Sequence, residues 1–376
     1  MIGQPARRFL LLDPIQARFL DTQPPPLPPM PMKAIVFDRF GEPADVLTVR
    51  DVPIPEPGPG QVRIRMIASP INPSDLLVTR GRYGVLPTLP ATPGFEGVGI
   101  VEKLGPGLNP LGRLVLGKRV AVINGDGGNW AEYVVIPSRQ ARPVPADLSD
   151  DDAATIFVNP ATVLAMVRHT LRVPRGSWVL QSAAGSELGR MIIRLARHDG
   201  FRTLNVVRRP EARDELLALG ADRVICSSDG PIDQQVHAFL GSEPVRYALD
   251  PVGGETGSQL FRALAPDGRL LVYGSLSNQP LQIESRALIA GNRVLQGFWL
   301  GHWMRSRNIP QSLSLFAEIA RLIRAGILRT RVGSRFPLDR IAEAARLAET
   351  SGRPGKVLLT MNPSPHVNPS PTSPIF

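Results

Sequence analysis

The chain has 376 residues, 43% of them hydrophobic and 20% charged, which is typical of a globular protein long enough for two domains. Its single cysteine, Cys226, excludes an intramolecular disulfide, and beside only five histidines it predicts no structural zinc site. The net charge of +10 favours phosphate-bearing small molecules as ligands, whereas the arginines form no dense basic run, which argues against nucleic acid. No apolar run approaches the roughly 20 residues of a membrane span. We therefore expect a soluble, cytoplasmic protein with no membrane partner.

Both ends of the chain are rich in proline. The stretch "DTQPPPLPPMPM" closes the first segment, and "NPSPHVNPSPTSPIF" closes the chain. Proline lacks the backbone N–H that helices and sheets need, so these segments cannot build regular structure. We expect residues 1–31 and 362–376 to be a disordered extension and a disordered tail.

The first half of the remaining chain, from Met32 to about Asp150, is predicted to be β-rich. Short strands alternate with Gly/Pro turns in "KAIVFDRF", "QVRIRMIA", "GVGIVEKLG", "KRVAVI" and "AEYVVIP". Between them "INPSDLLVTRGRYGVLP", residues 71–87, is predicted to be a loop that carries one tyrosine, Tyr83.

The second half alternates strands with helices. A helix is predicted over Asp151–Leu171, followed by "SWVLQSA", "ELGRMIIRLARHDG", "RTLNVV" and further pairs of this kind. Such alternation indicates βαβ units around a parallel sheet. The last portion adds the helices "QSLSLFAEIARLIRAG" and "DRIAEAARLAET" and the strand "GKVLLTM".

The first strand-to-helix turn, in "SWVLQSAAGSELGRMIIRLA", has the features of a phosphate-binding loop. A helix that begins after small residues points backbone N–H groups at a pyrophosphate, and Gly189 would let that helix lie close to the sheet. The strict G-x-G-x-x-G spacing is absent, so an ordinary turn of another doubly wound domain is the alternative. The turn residues are Ser182, Ala183, Ala184, Gly185 and Ser186.

The end of the next strand indicates which nicotinamide cofactor is used. An NAD site places a carboxylate there for the ribose 2′-hydroxyl. This chain has Arg208 and Arg209 instead, and two guanidiniums favour a 2′-phosphate. The sequence therefore predicts NADPH, unless both arginines merely cap the strand and face water.

Several stretches together resemble the medium-chain dehydrogenase/reductase superfamily over residues 32–361. They are "VRDVPIPEPGPGQVRIRM", "INPSD", "PGFEGVGIVEKLG", "LDPVGGE", "VYGSLS" and "GKVLLTM". The resemblance implies an α/β protein with two domains. One is a β-rich GroES-like catalytic domain over 32–155 and 297–361, and the other is a doubly wound Rossmann domain over 156–296 that binds NADPH.

Within that superfamily the chain is similar to the zinc-free branch. Asn72 or a neighbour stands where zinc-dependent members have a cysteine, and Phe95 stands where they have a histidine. The stretches "INPSDLLVTRGRYG", "NVVRRP" and "GFWLGHW" look like those of 2-enoyl thioester reductases. This resemblance implies zinc-independent, NADPH-dependent reduction of the C=C bond of an enoyl-CoA or enoyl-carrier thioester. The alternatives are a quinone or enone oxidoreductase, and an NADPH-binding protein without turnover; a homodimer is expected by analogy.

The resemblance also implies roles for individual residues. Tyr83 would be the proton donor, although it could simply pack over the cleft mouth, and Asn159 would enter the cleft or cap its helix. Lys356 would reach a cofactor phosphate or lie exposed. The implied catalytic residues are Tyr83, Asn72 and Asn159. The further implied cofactor contacts are Thr162, Leu188, Gly189, Asp250, Tyr273, Gly274, Ser275, Phe298, Trp299 and Lys356.

Glu187 departs from the pattern of the phosphate loop. A carboxylate there would repel a pyrophosphate unless its side chain turns outward to solvent.

Overall fold

The computed structural model describes residues 31–108 and 110–361. Within these ranges the strands are β1 (Pro31–Val36), β2 (Thr48–Pro53), β3 (Gln61–Pro70), β4 (Glu96–Leu104), β5 (Arg119–Ile123), β6 (Tyr133–Pro137), β7 (Ala141–Pro143), β8 (Trp178–Gln181), β9 (Arg202–Val207), β10 (Arg223–Cys226), β11 (Val245–Asp250), β12 (Arg269–Val272), β13 (Val294–Gly297), β14 (Val332–Pro337) and β15 (Lys356–Thr360). The α-helices are α1 (Pro43–Val46), α2 (Pro73–Thr79), α3 (Pro110–Arg113), α4 (Asp150–Ala154), α5 (Val158–Leu164), α6 (Glu187–Asp199), α7 (Ala212–Leu219), α8 (Ile232–Leu240), α9 (Gly254–Ala263), α10 (Ser285–Ala290), α11 (Leu300–Arg305), α12 (Ile309–Arg324) and α13 (Ile341–Glu349). The predicted terminal disorder lies outside the described residues, except at Pro31, where the prediction is wrong because this residue begins β1 and pairs with Pro53.

The predicted β-rich half forms a seven-stranded sheet in the order β14-β15-β3-β4-β5-β7, with β6 also paired to β3. Alternate residues of β3, namely Val62, Ile64 and Met66, are buried, as expected for a strand with one face on a core. β1 and β2 form a separate antiparallel pair. The last strand of the chain, β15, lies antiparallel to β3 and thus closes the sheet that the first half begins.

The predicted βαβ half forms a six-stranded parallel sheet in the order β10-β9-β8-β11-β12-β13. All four residues of β8 are buried, because helices cover both faces of the sheet. The chain leaves β8 toward β9 on one side and later returns to β11 on the other. The crevice where strand order reverses is the usual ligand site of open α/β sheets.

Two predicted elements differ from the structure. The single helix expected over Asp151–Leu171 is divided into α4, α5 and a π-helical segment at Ala165–Leu171. The loop expected over residues 71–87 begins with α2, because the Asp75 carboxylate accepts the N–H of the N-cap residue Asn72 at 2.7 Å and Pro73 stands at the first helical position.

Helix α12 packs with the parallel-sheet half. Its apolar residues Phe316, Ile319 and Leu322 belong to the same core cluster as Val179 of β8 and Met191 of α6. We therefore propose that the chain returns to the β-rich half after Leu328, later than the boundary at 297 that the resemblance implies.

Candidate active site

Tyr83 lies on the segment that follows α2, and its hydroxyl is held by a tryptophan from the other half of the chain. Trp299 Nε1 donates a hydrogen bond of 2.9 Å to the phenol oxygen. The ring of Tyr83 also packs at 5.4 Å from that of Phe95 and edge-on at 5.9 Å from that of Trp299. Burial raises the pKa of the Tyr83 hydroxyl above its usual value. The phenol is therefore protonated at neutral pH.

Trp299 brings Tyr83 to the carboxyl edge of the parallel sheet. The tryptophan lies two residues after the end of β13. The residue between them, Phe298, donates its backbone N–H to Val272 O of the neighbouring strand β12 at 2.8 Å. Phe298 itself packs on the core of the parallel-sheet half. Within the segment "GFWLGHW", Phe298 therefore packs against the core, whereas Trp299 contacts the phenol.

A network of buried polar side chains lies beneath the Tyr83 segment. Asn72 Nδ2 donates to Glu96 Oε1 at 2.9 Å, and Lys356 Nζ donates to Asn72 Oδ1 at 2.6 Å. Asp75 accepts the backbone N–H of Asn72 at 2.7 Å and that of Phe95 at 3.1 Å. Lys356 is only 4% exposed, so the alternative of an exposed lysine is wrong.

Burial sets the protonation of this network, because a low-dielectric interior disfavours charged forms. Desolvation raises the pKa of Asp75 to about 7 and lowers the pKa of Lys356 to about 8. Desolvation also raises the pKa of Glu96, which three hydrogen bonds and the Lys356 charge partly oppose.

The start of α5 is bound to the same network. Glu96 Oε2 accepts the backbone N–H groups of Phe157 at 3.2 Å and Val158 at 2.8 Å. The residue at the N-cap is Phe157, so the alternative role of Asn159 as the cap is wrong. Asn159 lies in the first turn, while Thr162 Oγ1 donates to Val158 O at 2.7 Å.

The predicted phosphate loop connects β8 to α6. Ser186 caps α6 by accepting the Gly189 N–H at 3.1 Å, and Ala183 has a φ of +48°. A Cβ on Gly189 would lie 2.6 Å from Ala184 O, so the helix can approach the loop only with glycine there. A Cβ on Gly185 would meet open space, which leaves the loop accessible to a ligand. Leu188, in contrast, packs into the core.

Glu187 does not turn outward to solvent, so the condition under which it would avoid a bound pyrophosphate is not met in this structure. Its side chain is buried, and Oε2 accepts the backbone N–H of Arg331 at 2.8 Å. The Arg331 Nε atom lies 3.6 Å from Oε1. The carboxylate is thus bound to the segment that leads from α12 into β14.

The turn after β11 is shaped by Asp250. Its carboxylate accepts the Ser182 hydroxyl, the Val252 N–H at 3.0 Å and the Gly253 N–H at 2.8 Å. Burial raises the pKa of this carboxyl. Asp250 and Ser182 therefore join the ends of two neighbouring strands, and their expected cofactor contacts stay predictions.

The segment after β12 lies beside that turn. Tyr273 N donates to Asp250 O at 2.9 Å. Gly274 is so close to the turn that a Cβ there would lie 2.7 Å from Pro251 O. Burial raises the pKa of the Tyr273 hydroxyl. Ser275 is exposed at this same carboxyl edge.

Arg208 and Arg209 follow β9 and are exposed, but they also contact another part of the chain. Arg208 Nη2 donates to Ser351 Oγ at 2.7 Å. A Cβ on Gly352 would lie 2.0 Å from Arg209 Nη1, so the second guanidinium lies against the same loop. This loop before β15 was not foreseen, and only its position ahead of a predicted strand could have indicated it.

Within residues 31–108 and 110–361, no group of three or more His, Cys, Asp or Glu side chains could hold a metal ion. A reaction without zinc stays a prediction. In the same ranges no helix is long and apolar enough to cross a membrane.

These features define a class of protein. A dinucleotide-type loop at the switch point of a parallel sheet, with a phenol from a separate β-rich sheet at the same edge, is the arrangement of a nicotinamide-dependent oxidoreductase. Residues 58–146 match the family model of the alcohol dehydrogenase GroES-like domain, and residues 188–318 match that of zinc-binding dehydrogenases. The chain belongs to the medium-chain dehydrogenase/reductase superfamily.

The proteins that this chain resembles include two that are named as reductases. The mitochondrial enoyl-[acyl-carrier-protein] reductase of Homo sapiens is 34% identical over 340 residues, which cover 89% of this chain and 90% of that protein. A Bacillus thuringiensis structure assigned as an NADPH:quinone reductase is 33% identical with a TM-score of 0.82, covering 88% of this chain and 99% of that one. The complex of Etr1p with NADP and crotonyl-CoA is 25% identical with a TM-score of 0.75, covering 88% and 100%.

The chain is therefore an oxidoreductase that acts on conjugated C=C bonds or quinones. The family and the structural neighbours support a nicotinamide cofactor. The enoyl reductase relative is named as mitochondrial, so the expected cytoplasmic location of this chain stays a prediction.

Proposed function

We propose that the protein reduces the C=C bond of 2-enoyl thioesters with NADPH. The observation that carries this proposal is the hydrogen bond from Trp299 Nε1 to the Tyr83 hydroxyl, 2.9 Å long, at the carboxyl edge of the parallel sheet. An indole N–H can only donate, so the phenol oxygen accepts and its own proton remains free. Tyr83 is thus oriented to donate a proton to an acceptor in the crevice.

The residues at the crevice fit NADPH. The loop around Gly185 is open, and the start of α6 directs backbone N–H groups at it, as a pyrophosphate requires. Arg208 and Arg209 are exposed where the 2′-phosphate of the adenosine ribose would lie. With Ser351 at 2.7 Å from Arg208, this corner offers a hydroxyl beside two guanidiniums.

When bound, NADPH supplies the hydride that is added to the β-carbon of the enoyl group. Tyr83 stabilises the negative charge that develops on the thioester oxygen by donating its hydrogen bond, and it can deliver the proton that the α-carbon needs. Asn159 has no hydrogen bond from its side chain among the described residues, so its amide is available to the nicotinamide or the acceptor. Asn72, whose amide atoms bond to Glu96 and Lys356, holds the segment that bears the phenol.

A quinone or enone reductase with the same cofactor is the second candidate. The TM-score of 0.82 to the Bacillus thuringiensis protein favours it, because the two folds superimpose over nearly their whole length. A phenol that donates to a developing oxyanion would serve a quinone as well as a thioester.

The test is a turnover screen with NADPH and NADH against crotonyl-CoA, longer 2-enoyl-CoA thioesters and a naphthoquinone. We expect the highest kcat/KM with an enoyl thioester and NADPH. Tyr83→Phe should lower kcat by about 100-fold, within the range for loss of general acid catalysis, with NADPH affinity unchanged. Tyr247→Phe, remote from the crevice on β11, is the matched control. Faster turnover of the quinone than of every thioester would refute the proposal, and full activity of Tyr83→Phe would remove the phenol from the mechanism.

The choice of NADPH has its own test. Arg208→Ala should lower the affinity for NADPH by about 10-fold or more, as expected for a lost charge-assisted bond, and leave NADH binding unchanged. Arg223→Ala serves as the control. Arg223 begins β10, and its guanidinium lies over the ring of Phe239, 4.4 Å from the ring centroid. Equal affinities for the two cofactors in wild-type protein would refute the preference.

We also propose that the protein is a homodimer paired through β13. This strand is the edge of the parallel sheet, and all its residues are exposed, including Val294 at 41% and Leu295 at 37%. An exposed apolar edge strand is a template for pairing with another strand. Light scattering should give a dimer for wild-type protein and a monomer for Leu295→Lys; a monomeric wild type would contradict the proposal.

A further inference from the structure

Glu96 is the residue through which the two parts of the candidate site are joined. It is 3% exposed and begins β4. One carboxylate oxygen binds the side chain of Asn72, and the other binds the first backbone N–H groups of α5. Neither the sequence patterns nor the similarity to known reductases gave this glutamate a role.

The segments that Glu96 joins carry different functional groups. Asn72 precedes α2, after which comes Tyr83 with the proton to be donated. The N–H groups of Phe157 and Val158 open α5, whose first turn contains Asn159. These contacts span 24 and 61 residues of sequence, so the carboxylate fixes a relation that local structure cannot.

The hydrogen bonds around Asn72 allow one orientation of its amide. Lys356 Nζ is only a donor, so it must meet the amide oxygen, and the Glu96 carboxylate is only an acceptor, so it must meet the amide nitrogen. A half-satisfied buried network would be unfavourable, so the three side chains depend on one another.

We propose that Glu96 is a positioning residue for the reduction, which holds the Tyr83 segment and the start of α5 in register with each other. The proposal rests on the proposed function for its kinetic consequence only. Glu96 is 3% exposed and both of its carboxylate oxygens are bound within the protein, so it would act through Asn72 and through the backbone of α5.

The test is an exchange of donor and acceptor between two positions. In Glu96→Gln the new amide NH2 must face either Asn72 Nδ2 or the N–H groups of α5, so donors oppose donors. In the double variant Asn72→Asp with Glu96→Gln, the glutamine oxygen can accept from α5 and its NH2 can donate to the new aspartate. The other aspartate oxygen can accept from Lys356. Every hydrogen bond and the net charge are then restored.

We expect kcat of Glu96→Gln to fall by on the order of 100-fold, the cost of a misplacement of about 1 Å. The NADPH dissociation constant should change by less than about 3-fold. The double variant should recover at least a tenth of the wild-type kcat. These kcat values are measured with the acceptor that the wild-type protein reduces, either a 2-enoyl thioester or the naphthoquinone. If it reduces neither, the proposed function fails, while the following exchange measurement still decides the role of Glu96.

Hydrogen exchange measured by mass spectrometry reports on the two segments without any acceptor. Glu96→Gln should speed exchange in peptides covering both 72–83 and 157–164, and the double variant should slow it again. Asp250→Asn, which removes another buried carboxylate with three hydrogen bonds, should act on the turns at Ser182 and Gly253 and leave 72–83 unchanged.

Several outcomes would overturn the proposal. They are faster exchange in only one of the two segments, unchanged kcat despite faster exchange in both, and a folded double variant without activity. If Glu96→Gln does not fold, the double variant decides alone: a folded, active protein supports the proposal, and a folded, inactive one refutes it.

Discussion

Replacing Asp75 with asparagine should change how the stability of the protein depends on pH. Asp75 is fully buried below Phe95, and desolvation raises its pKa from 3.8 to about 7. The native protein thus keeps a proton on Asp75 in the range where the unfolded chain has lost it. Stability from this group is present below about pH 4 and is lost as pH rises through about 7.

The size of the effect follows from the two pKa values. They differ by about 3, and one unit corresponds to about 1.36 kcal/mol, so the wild type should lose up to about 4 kcal/mol across this window. Asparagine cannot ionise, but its NH2 must oppose the N–H of either Asn72 or Phe95, which costs about 1–3 kcal/mol at every pH. Asp75→Asn should therefore be less stable than wild type at pH 4 and equal or more stable at pH 8.

Thermal unfolding of both proteins between pH 4 and pH 8.5, followed by fluorescence, checks this crossover. Asp147→Asn is the control: Arg324 holds the pKa of that exposed carboxyl below its usual value, so its effect on stability should stay nearly constant over this range and change only below about pH 4. A difference between Asp75→Asn and wild type that stays constant with pH would show that Asp75 ionises normally in the folded protein. The argument from burial would then be wrong.

Three other substitutions, one of them with a matched control, test the crevice. Trp299→Phe keeps a ring against Tyr83 but removes the indole N–H, so kcat should fall by about 5-fold to 10-fold, the worth of about 1 kcal/mol, with unchanged NADPH affinity in fluorescence titration. Gly189→Ala places a Cβ 2.6 Å from the phosphate loop and should lower both Tm and NADPH affinity, whereas Gly185→Ala, which meets open space, should leave Tm unchanged. Glu187→Gln removes a negative charge from the loop, and NADPH should bind more tightly at low salt, with a difference that shrinks at 1 M salt.

The local patterns of the sequence were sufficient for the strands and for most helices. The β-rich half and the βαβ alternation are confirmed, because the period-two burial in β3 and the full burial of β8 follow from patterns within single elements. The expectation of one continuous helix over Asp151–Leu171 was wrong. Its interruption before α5 depends on the buried Glu96 carboxylate, which binds the N–H groups of Phe157 and Val158 from 61 and 62 residues away in the sequence.

The candidate site was predicted as a set of segments but not as a geometry. Sequence identified Tyr83 and the segment containing Trp299, yet their hydrogen bond spans 216 residues. Lys356 and Asn72 are separated by 284 residues, so neither periodicity nor spacing could show that the lysine is buried. The burial of Glu187 could not be predicted, because its partner is a backbone N–H, which leaves no mark on the composition of the segment around Arg331.

The place of β15 in its sheet affects how the chain folds during synthesis. This strand pairs with β3, and its first residue, Lys356, binds Asn72 at the other end of the sequence. The parallel sheet, in contrast, is complete once Gly297 has left the ribosome. Domains fold in the order in which their residues emerge. The β-rich half, whose synthesis begins first, is therefore completed last. Until β15 has emerged, residues 68–70 of β3 are left with an open edge that a chaperone or a neighbouring nascent chain could bind.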